Sequence, residues 1–286
     1  MAQIINTNLP SLNAQRNLGT SQMSLSRSLQ RLSSGLRVNS AKDDAAGLAV
    51  ATRMDSIVRG SMVAIRNAND GISLAQTMED SISKLGDSLQ RMRELAVQAA
   101  NGTINSGDRA NLQVEFAQMQ AEINRVTSGA TFNGLSLLDT GATVPKAFSQ
   151  FDFQIGANAS GANVLTISGG SFATGTLTFY GDSTATGIDI ATASGAASAL
   201  TFIDSGIGQV TTSRAKWGAV QNRFDAIISS LQIYVENQSA AKSRIMDADF
   251  AAETANLTRG QILQQAGTAM LAQANALPNG VLSLLR

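Results

Sequence analysis

The chain has 286 residues, of which 43% are hydrophobic but only 5% aromatic, and its 21 basic side chains balance 21 acidic ones. Cysteine and histidine are both absent from the sequence, which excludes disulfides, thiol nucleophiles, Ser-His-Asp triads and HExxH zinc sites. The balanced charge gives no sign of a clustered basic surface for nucleic acid. These features predict a structural, self-assembling protein rather than an enzyme, with no cofactor and no nucleic-acid partner.

Residues 1 to about 138 predict long helices. The N-terminal stretch has no basic region followed by an apolar run, so we expect no conventional signal peptide. Apolar side chains recur at alternating steps of three and four residues, which is the spacing of a coiled-coil seam. They form three stripes: Leu25, Leu29, Leu32 and Leu36; Ile82, Leu85, Leu89, Met92, Ala96 and Ala99; and Leu112, Phe116, Met119, Ile123 and Val126.

Two polar segments predict breaks between these helices. Ser40 and Asp43 are spaced like a capping box, which predicts a helix that begins near Ala41. The run from 101 to 108 is rich in asparagine and glycine and predicts a loop. The adjacent acids Asp43 and Asp44 would also suit paired-carboxylate catalysis, but charge at a helix N-terminus is the favoured interpretation.

The middle of the chain, from about 139 to 195, is rich in glycine, serine and threonine and has few charges. Short segments of alternating polarity predict β-hairpins at 151–155, 164–167 and 177–179, with a turn at 157–161. The Ser/Thr-rich composition fits strands and turns as well as it fits attachment of O-linked sugars, and both interpretations stay open.

From about 196 to the end the pattern is helical again. A seam runs from Ile207 to Val235, and the last helix has two contrasting faces. Its glutamines and asparagines make membrane insertion costly. The long apolar face predicts a helical partner, so we expect the two ends to pair with each other and with copies of themselves, and to order on assembly. The apolar face comprises Leu263, Ala266, Gly267, Met270, Ala274, Leu277 and Val281; the uncharged polar face comprises Gln261, Gln265, Thr268, Ala272, Asn275 and Asn279.

Six motifs in the two helical zones resemble bacterial flagellin, in order, over roughly 1–140 and 195–286. They are long and specific, which makes a chance match negligible. The motifs are Leu32–Gly47, Gln90–Gln98, Phe132–Gly134, Gly218–Phe224, Ser243–Glu253 and Asn279–Arg286.

The resemblance implies a mostly α fold, in which the N- and C-terminal segments form long antiparallel helices in a coiled-coil bundle. Residues 1–44 and 254–286 would form the inner tube of a filament. Residues 45–138 and 196–253 would form the surrounding helical domain. Residues 139–195 would form a short β-hairpin region without the large outer domains of other family members.

The resemblance also implies a function, which is polymerisation into the flagellar filament for swimming motility, outside the cell. Its implied partners are copies of the chain, the flagellin export chaperone, the flagellar cap, hook-associated proteins and a Toll-like innate-immune receptor. Export would run through the hollow filament. The alternative is the hook–filament junction protein, a structural relative with similar ends. A flagellin that carries a protease is disfavoured because the zinc motif needs histidines.

Three sets of residues follow from these expectations. The receptor set matches the family motif by position, the assembly set comes from the helical stripes, and the channel set comes from the uncharged polar face, which would suit a wet channel wall. The receptor set is Gln90, Arg91, Leu95 and Glu115; the assembly set is Leu25, Leu29, Leu32, Leu36, Leu263, Met270, Leu277 and Val281; the channel set is Gln261, Gln265, Asn275 and Asn279.

Overall fold

A computed structural model of the chain describes residues 7–138, 150–168 and 188–283. The chain divides into two compact units, a terminal unit of Met1–Ser56 with Glu236–Arg286 and an interior unit of Ile57–Val235. The predicted mostly α class with a small β-hairpin region is confirmed. The helices of the described residues are α1 (Leu9–Ser34), α2 (Ala45–Ala100), α3 (Ser106–Gly129), α4 (Ala193–Met246) and α5 (Phe250–Ser283).

The strands form two antiparallel hairpins between α3 and α4. The first pairs β1 (Thr131–Phe132) with β2 (Leu135–Ser136), and the second pairs β3 (Gln150–Gln154) with β4 (Val164–Ser168). A single 3-10 turn, Gly161–Asn163, leads into β4. The third predicted strand segment, 177–179, lies outside the described residues.

The helix that follows the first break begins at Ala45, so the capping box predicted near Ala41 is wrong. The Asp43 carboxylate accepts bonds from the Ser40 amide at 2.9 Å and the Ser40 hydroxyl at 3.0 Å, which close a turn. Because the Asp43 carboxylate bonds to Ser40, which precedes it in the chain, the neighbouring Asp44 caps α2 instead. The Asp44 carboxylate accepts from the amide of Gly47 at 2.8 Å, in the first turn of α2.

The predicted loop between the next two helices is confirmed, since α2 ends at Ala100 and α3 begins at Ser106. The Asn105 side chain caps α3 by accepting from the amide of Asp108 at 2.8 Å. The Arg109 guanidinium donates to the carbonyl of Ala99 at 2.8 Å. One turn of α3 therefore satisfies a carbonyl at the end of α2, which fixes the tight reversal.

The interior unit has a core of large apolar side chains. The predicted stripe of α2 from Ile82 to Ala99 is buried throughout, and it packs with Phe116 and Ile123 of α3. The α4 seam contributes Val210, Trp217 and Phe224. The Phe224 ring occupies the space where Gly71 lacks a Cβ atom, so this glycine allows the closest approach of the ring to α2.

The second hairpin covers the same core. Phe151 pairs with Ile167 and Phe153 with Leu165, in strands that the alternation predicted and in a register that it did not predict. The Phe153 ring meets Phe224 edge to face with 5.3 Å between centroids. The first hairpin was not predicted as strands. Its signal was the Asn133-Gly134 pair, which occupies the left-handed region at φ 50° and 75° and builds a two-residue turn.

Candidate functional site

The terminal unit is built on an antiparallel pair of helices, α1 and α5. Leu18 lies over Gly267 and, one heptad on, Leu25 lies over Gly260. A Cβ atom on Gly260 would lie 3.4 Å from the Leu25 Cβ atom, and one on Gly267 would lie 3.1 Å from the Leu18 Cδ1 atom. The two backbones therefore approach closely, and a large side chain at either glycine would have to displace the leucine that faces it.

Polar bonds hold the two ends of this helix pair. The Asn8 side-chain Nδ2 donates to the carbonyl of Ala274 at 2.8 Å, and the Ser11 hydroxyl donates to Asn275 Oδ1 at 2.7 Å. At the other end, Arg31 Nη1 lies 3.8 Å from a carboxylate oxygen of Glu253. Small residues fill the seam between these ends, because Ser11, Ser28 and Ala274 are buried.

Large apolar side chains of the same two helices face outward. A narrow seam of glycine, serine and alanine leaves no room for them between the helices. Met23 is 66% exposed and Met270 is 63% exposed. Large apolar side chains exposed in such numbers mark an interaction site. The exposed set is Leu9, Leu12, Met23 and Leu29 on α1 and Phe250, Ile262, Leu263 and Met270 on α5.

The predicted assembly residues are divided between these two surfaces. Leu25 and Leu32 are half-buried, whereas Leu29, Leu263 and Met270 are exposed. Leu36 lies beyond α1, in a β-bridge with Asp247. The side chains of Leu277 and Val281 lie outside the described residues. Sequence reasoning missed Gly260 and Ser11, although the seven-residue spacing of Gly260 and Gly267 was a signal of the seam.

The predicted channel-lining residues are placed in different ways. Gln261 and Gln265 are exposed on α5. Asn275 is bound by Ser11 of α1, so it belongs to the helix pair as much as to the outer surface. The side chain of Asn279 lies outside the described residues. Channel lining stays a prediction.

The helix breaks of the terminal unit bond to each other through their backbones. The Arg37 amide donates to the carbonyl of Met246 at 2.6 Å, and the Ala248 amide donates to the carbonyl of Gly35 at 2.9 Å. The Arg37 guanidinium also reaches the carbonyl of Ile245 at 2.8 Å. These bonds join the C-terminal ends of α1 and α4 into one junction.

The predicted receptor residues do not share one surface. Gln90 and Arg91 are exposed and Glu115 is partly so, and Arg91 donates to Glu115 at 2.6 Å and to Glu94 at 2.8 Å. The bonds to Glu115 raise the pKa of Arg91 above its ordinary value. Leu95 is 1% exposed inside the core. Its side chain is therefore not accessible to a partner and packs in the core instead.

The carboxyl of Asp43, in the terminal unit, has a shifted pKa. The Ser40 hydroxyl and amide, helped by Arg31, hold the pKa of Asp43 below its ordinary value, so this carboxyl is charged at neutral pH.

Across the described ranges, no cluster of carboxylates has the arrangement of a metal site. No helix of the described residues combines the length and hydropathy that crossing a membrane requires.

Comparison with known proteins gives full-length matches. Residues 5–143 match the bacterial flagellin N-terminal helical region, and residues 200–285 match the bacterial flagellin C-terminal helical region. The chain is 42% identical to a flagellar filament 33 kDa core protein of Treponema phagedenis, over 99% of this chain and 100% of that protein. It is also 42% identical to a flagellin of Halalkalibacterium halodurans, over 99% of this chain and 100% of that protein.

A solved structure adds a likeness of fold. A Vibrio parahaemolyticus protein assigned to the flagellar hook-associated class aligns with a TM-score of 0.57 at 13% identity, covering 72% of this chain and 100% of that one. At that identity the likeness concerns the fold alone. The two family matches and the full-length relatives establish the family: the chain belongs to the bacterial flagellins.

Proposed function

We infer that this chain is the structural subunit of a bacterial flagellar filament that serves swimming motility. The observation that carries the inference is the exposed apolar surface of the α1–α5 pair. Burial of one large apolar side chain contributes about 1.5–3 kcal/mol. Burial of even three of the exposed ones against a neighbour would therefore stabilise a subunit contact by roughly 5 kcal/mol.

The placement of these residues suits an open polymer rather than a closed dimer. Exposed apolar side chains lie on both helices, Met23 on α1 and Ile262 and Met270 on α5, and we infer that they meet different parts of neighbouring copies. A contact between unlike surfaces is heterologous, and repetition of such a contact produces a helical filament when the rotation does not close. The names of the full-length relatives, a filament core protein and a flagellin, agree with this inference.

The finer expectations are proposals that rest on the same surface. The family's export chaperone would cover the exposed face of α5 before assembly, and the cap and hook-associated proteins would meet the same terminal helices at the filament ends. The Toll-like receptor would meet Gln90, Arg91 and Glu115. The filament would lie outside the cell and grow by export through its own channel. We assign no catalytic role, because histidine and cysteine are absent from the sequence.

The alternative of a hook–filament junction protein is the weaker one. The likeness to the hook-associated protein is one of fold, at 13% identity. The full-length relatives at 42% identity carry filament or flagellin names. Copy number separates the two roles, since a filament subunit is needed in many more copies than a junction protein.

The test is electron microscopy of the purified protein before and after warming, with regrowth from sonicated seeds. We expect filaments that dissociate on warming and regrow on cooling. Met270→Glu should abolish regrowth, because a charge cannot be buried in an apolar contact. Met270→Leu, the matched control, should preserve it. A wild-type protein that stays monomeric with both ends intact, at all concentrations and in the presence of seeds, would refute the inference.

A further inference from the structure

Charge is segregated along this chain although the whole is neutral. Residues 1–42 contain five basic side chains and no acidic one, and residues 254–286 contain two basic side chains and no acidic one. All 21 acidic residues therefore lie in 43–253, together with 14 basic ones. The two ends carry a side-chain charge of plus seven, and the segment between them carries minus seven.

Part of the positive charge converges on a cleft in the terminal unit. The cleft has a volume of about 390 Å³ and lies between the second half of α1 and the loop that follows it. Arg27, Arg31 and Lys42 line it, with Ser40 and Asp43 beside them. The Asp43 carboxylate already accepts the Ser40 amide and hydroxyl, so it is engaged within its own turn.

Arg31 is only partly satisfied in this cleft. Its Nη1 atom lies 3.8 Å from Glu253, which is longer than a good charge-assisted hydrogen bond. Its Nε atom is buried and has no hydrogen-bond partner. A guanidinium offers five N–H donors in a planar fork that matches a carboxylate. Rotation of this side chain towards an incoming carboxylate would give its donors an acceptor.

We propose that the cleft of Arg27, Arg31 and Lys42 binds a carboxylate side chain from the 43–253 segment of a second copy of this chain. The proposal rests on the inferred filament function. The second copy is favoured over nucleic acid or an anionic membrane because the chain carries its own complementary charge in equal amount. Three cations in a small cleft also suit one or two carboxylates better than a long phosphate backbone, which needs an extended basic track.

The first test is zero-length carbodiimide crosslinking of filaments grown from an equal mixture of normal and ¹⁵N-labelled chains. Lys42 supplies the amine of the cleft. We expect crosslinked peptides of mixed isotope that join Lys42 to an Asp or Glu of 43–253. Filaments in which Lys42 joins only its own chain, or nothing, overturn the inference alone. If wild-type protein forms no polymer at all, the inferred function fails and takes this inference with it.

The second test compares charge variants of the full chain. Arg27→Gln combined with Lys42→Gln should raise the critical concentration for polymerisation about tenfold at low salt, and less at high salt, because screening already weakens the attraction. Arg16→Gln is the matched control, since Arg16 is an exposed cation of the same helix that does not line the cleft. It should change the critical concentration less than twofold. Equal effects of the cleft and control variants would overturn the proposal.

A third arm tests the competing ligands. An RNA oligonucleotide and vesicles with anionic lipid are the probes, each titrated against the wild-type chain and the cleft double variant. We expect no difference between the two chains. Binding that the double variant loses, while its polymerisation stays normal, would assign the cleft to that ligand and overturn the proposal.

Discussion

The two units of this protein bury opposite kinds of residue. In the interior unit Met78, Met92, Phe116 and Phe224 are fully buried. In the α1–α5 pair serines, glycines and an alanine line the seam with Leu18 and Leu25, while both methionines and most of the other leucines face outward. An interior of large side chains satisfies the hydrophobic effect within one chain. A seam of small residues brings two helices together and leaves their apolar surface for another chain.

We therefore expect the two units to depend on assembly to different degrees. The interior unit has its own core, further closed by the Phe153–Phe224 ring contact. The described residues of the α1–α5 pair form no comparable core, and we propose that its exposed apolar residues become buried by contact with copies. Four predictions test this comparison, from the largest expected effect to the smallest.

The largest effect is expected in the core of the interior unit. Phe224→Ala should lower the free energy of unfolding by about 3–5 kcal/mol, because it empties the space between Gly71 and the Phe153 ring. Urea unfolding followed by circular dichroism measures the change. Val114→Ala, which truncates an exposed apolar side chain of the same unit, should stay within about 0.5 kcal/mol. Equal losses would show that this core is not closed in the monomer.

The next effect is expected in the helix seam. Gly260→Leu should weaken the α1–α5 pair by about 1–3 kcal/mol, because the new side chain meets the backbone of Leu25. Hydrogen exchange of α1 amides measures the loss of pairing. Gly19→Leu is the control, since no atom lies within 4 Å of a Cβ placed there. That variant should leave the α1 amides as protected as in the wild type. Loss of protection in both variants would show that the loss does not come from the helix seam.

A smaller effect is expected on the outward surface, and only in the polymer. Leu263→Ala should raise the critical concentration for polymerisation about tenfold, since a lost apolar contact of roughly 1.4 kcal/mol corresponds to a factor of ten. Sedimentation of polymer from monomer measures it. The same substitution should leave the monomer's unfolding free energy within about 0.5 kcal/mol, because the side chain is exposed there. A loss in the monomer with unchanged polymerisation would reverse the assignment of this residue.

The smallest effect concerns the turn before α2. Because the folded pKa of Asp43 is depressed, its contribution to stability is present above the unfolded pKa and is lost as pH falls through the folded value. Carbon-detected NMR titration of Asp43 should give a midpoint below 3.8, and Ser40→Ala should raise it. An unchanged midpoint in that variant would remove Ser40 as the cause.

The sequence predicted the features that follow from a repeating pattern of apolar residues. The stripe from Ile82 to Ala99 is buried as its spacing required, and the alternation of Phe151, Phe153, Leu165 and Ile167 gave the second hairpin. The family motifs gave the pairing of the terminal helices. These signals are strong because each depends on the geometry of one local element.

What the sequence could not give is which apolar residue faces which neighbour. Leu25 and Leu29 differ by one helical turn, and a periodic pattern placed both in one stripe. Only the glycines of the opposite helix decide that Leu25 packs inside and Leu29 faces outward. The receptor set included Leu95 for the same reason, because matching a motif by position does not show whether a side chain is buried. The capping of α2 by Asp44 likewise depends on the bonds that Asp43 accepts from residues earlier in the chain.

The central claim is that α1 and α5 keep large apolar side chains outside for contact with copies, and methionine oxidation tests it directly. Met23 and Met270 are exposed, whereas Met78 and Met92 are fully buried. A pulse of peroxide followed by mass spectrometry measures the oxidation rate of each methionine in monomer and in filament. We expect Met23 and Met270 to react fast in the monomer and at least about tenfold more slowly in the filament, with Met78 and Met92 protected in both. Equal oxidation rates of Met23 and Met270 in monomer and filament would contradict the claim.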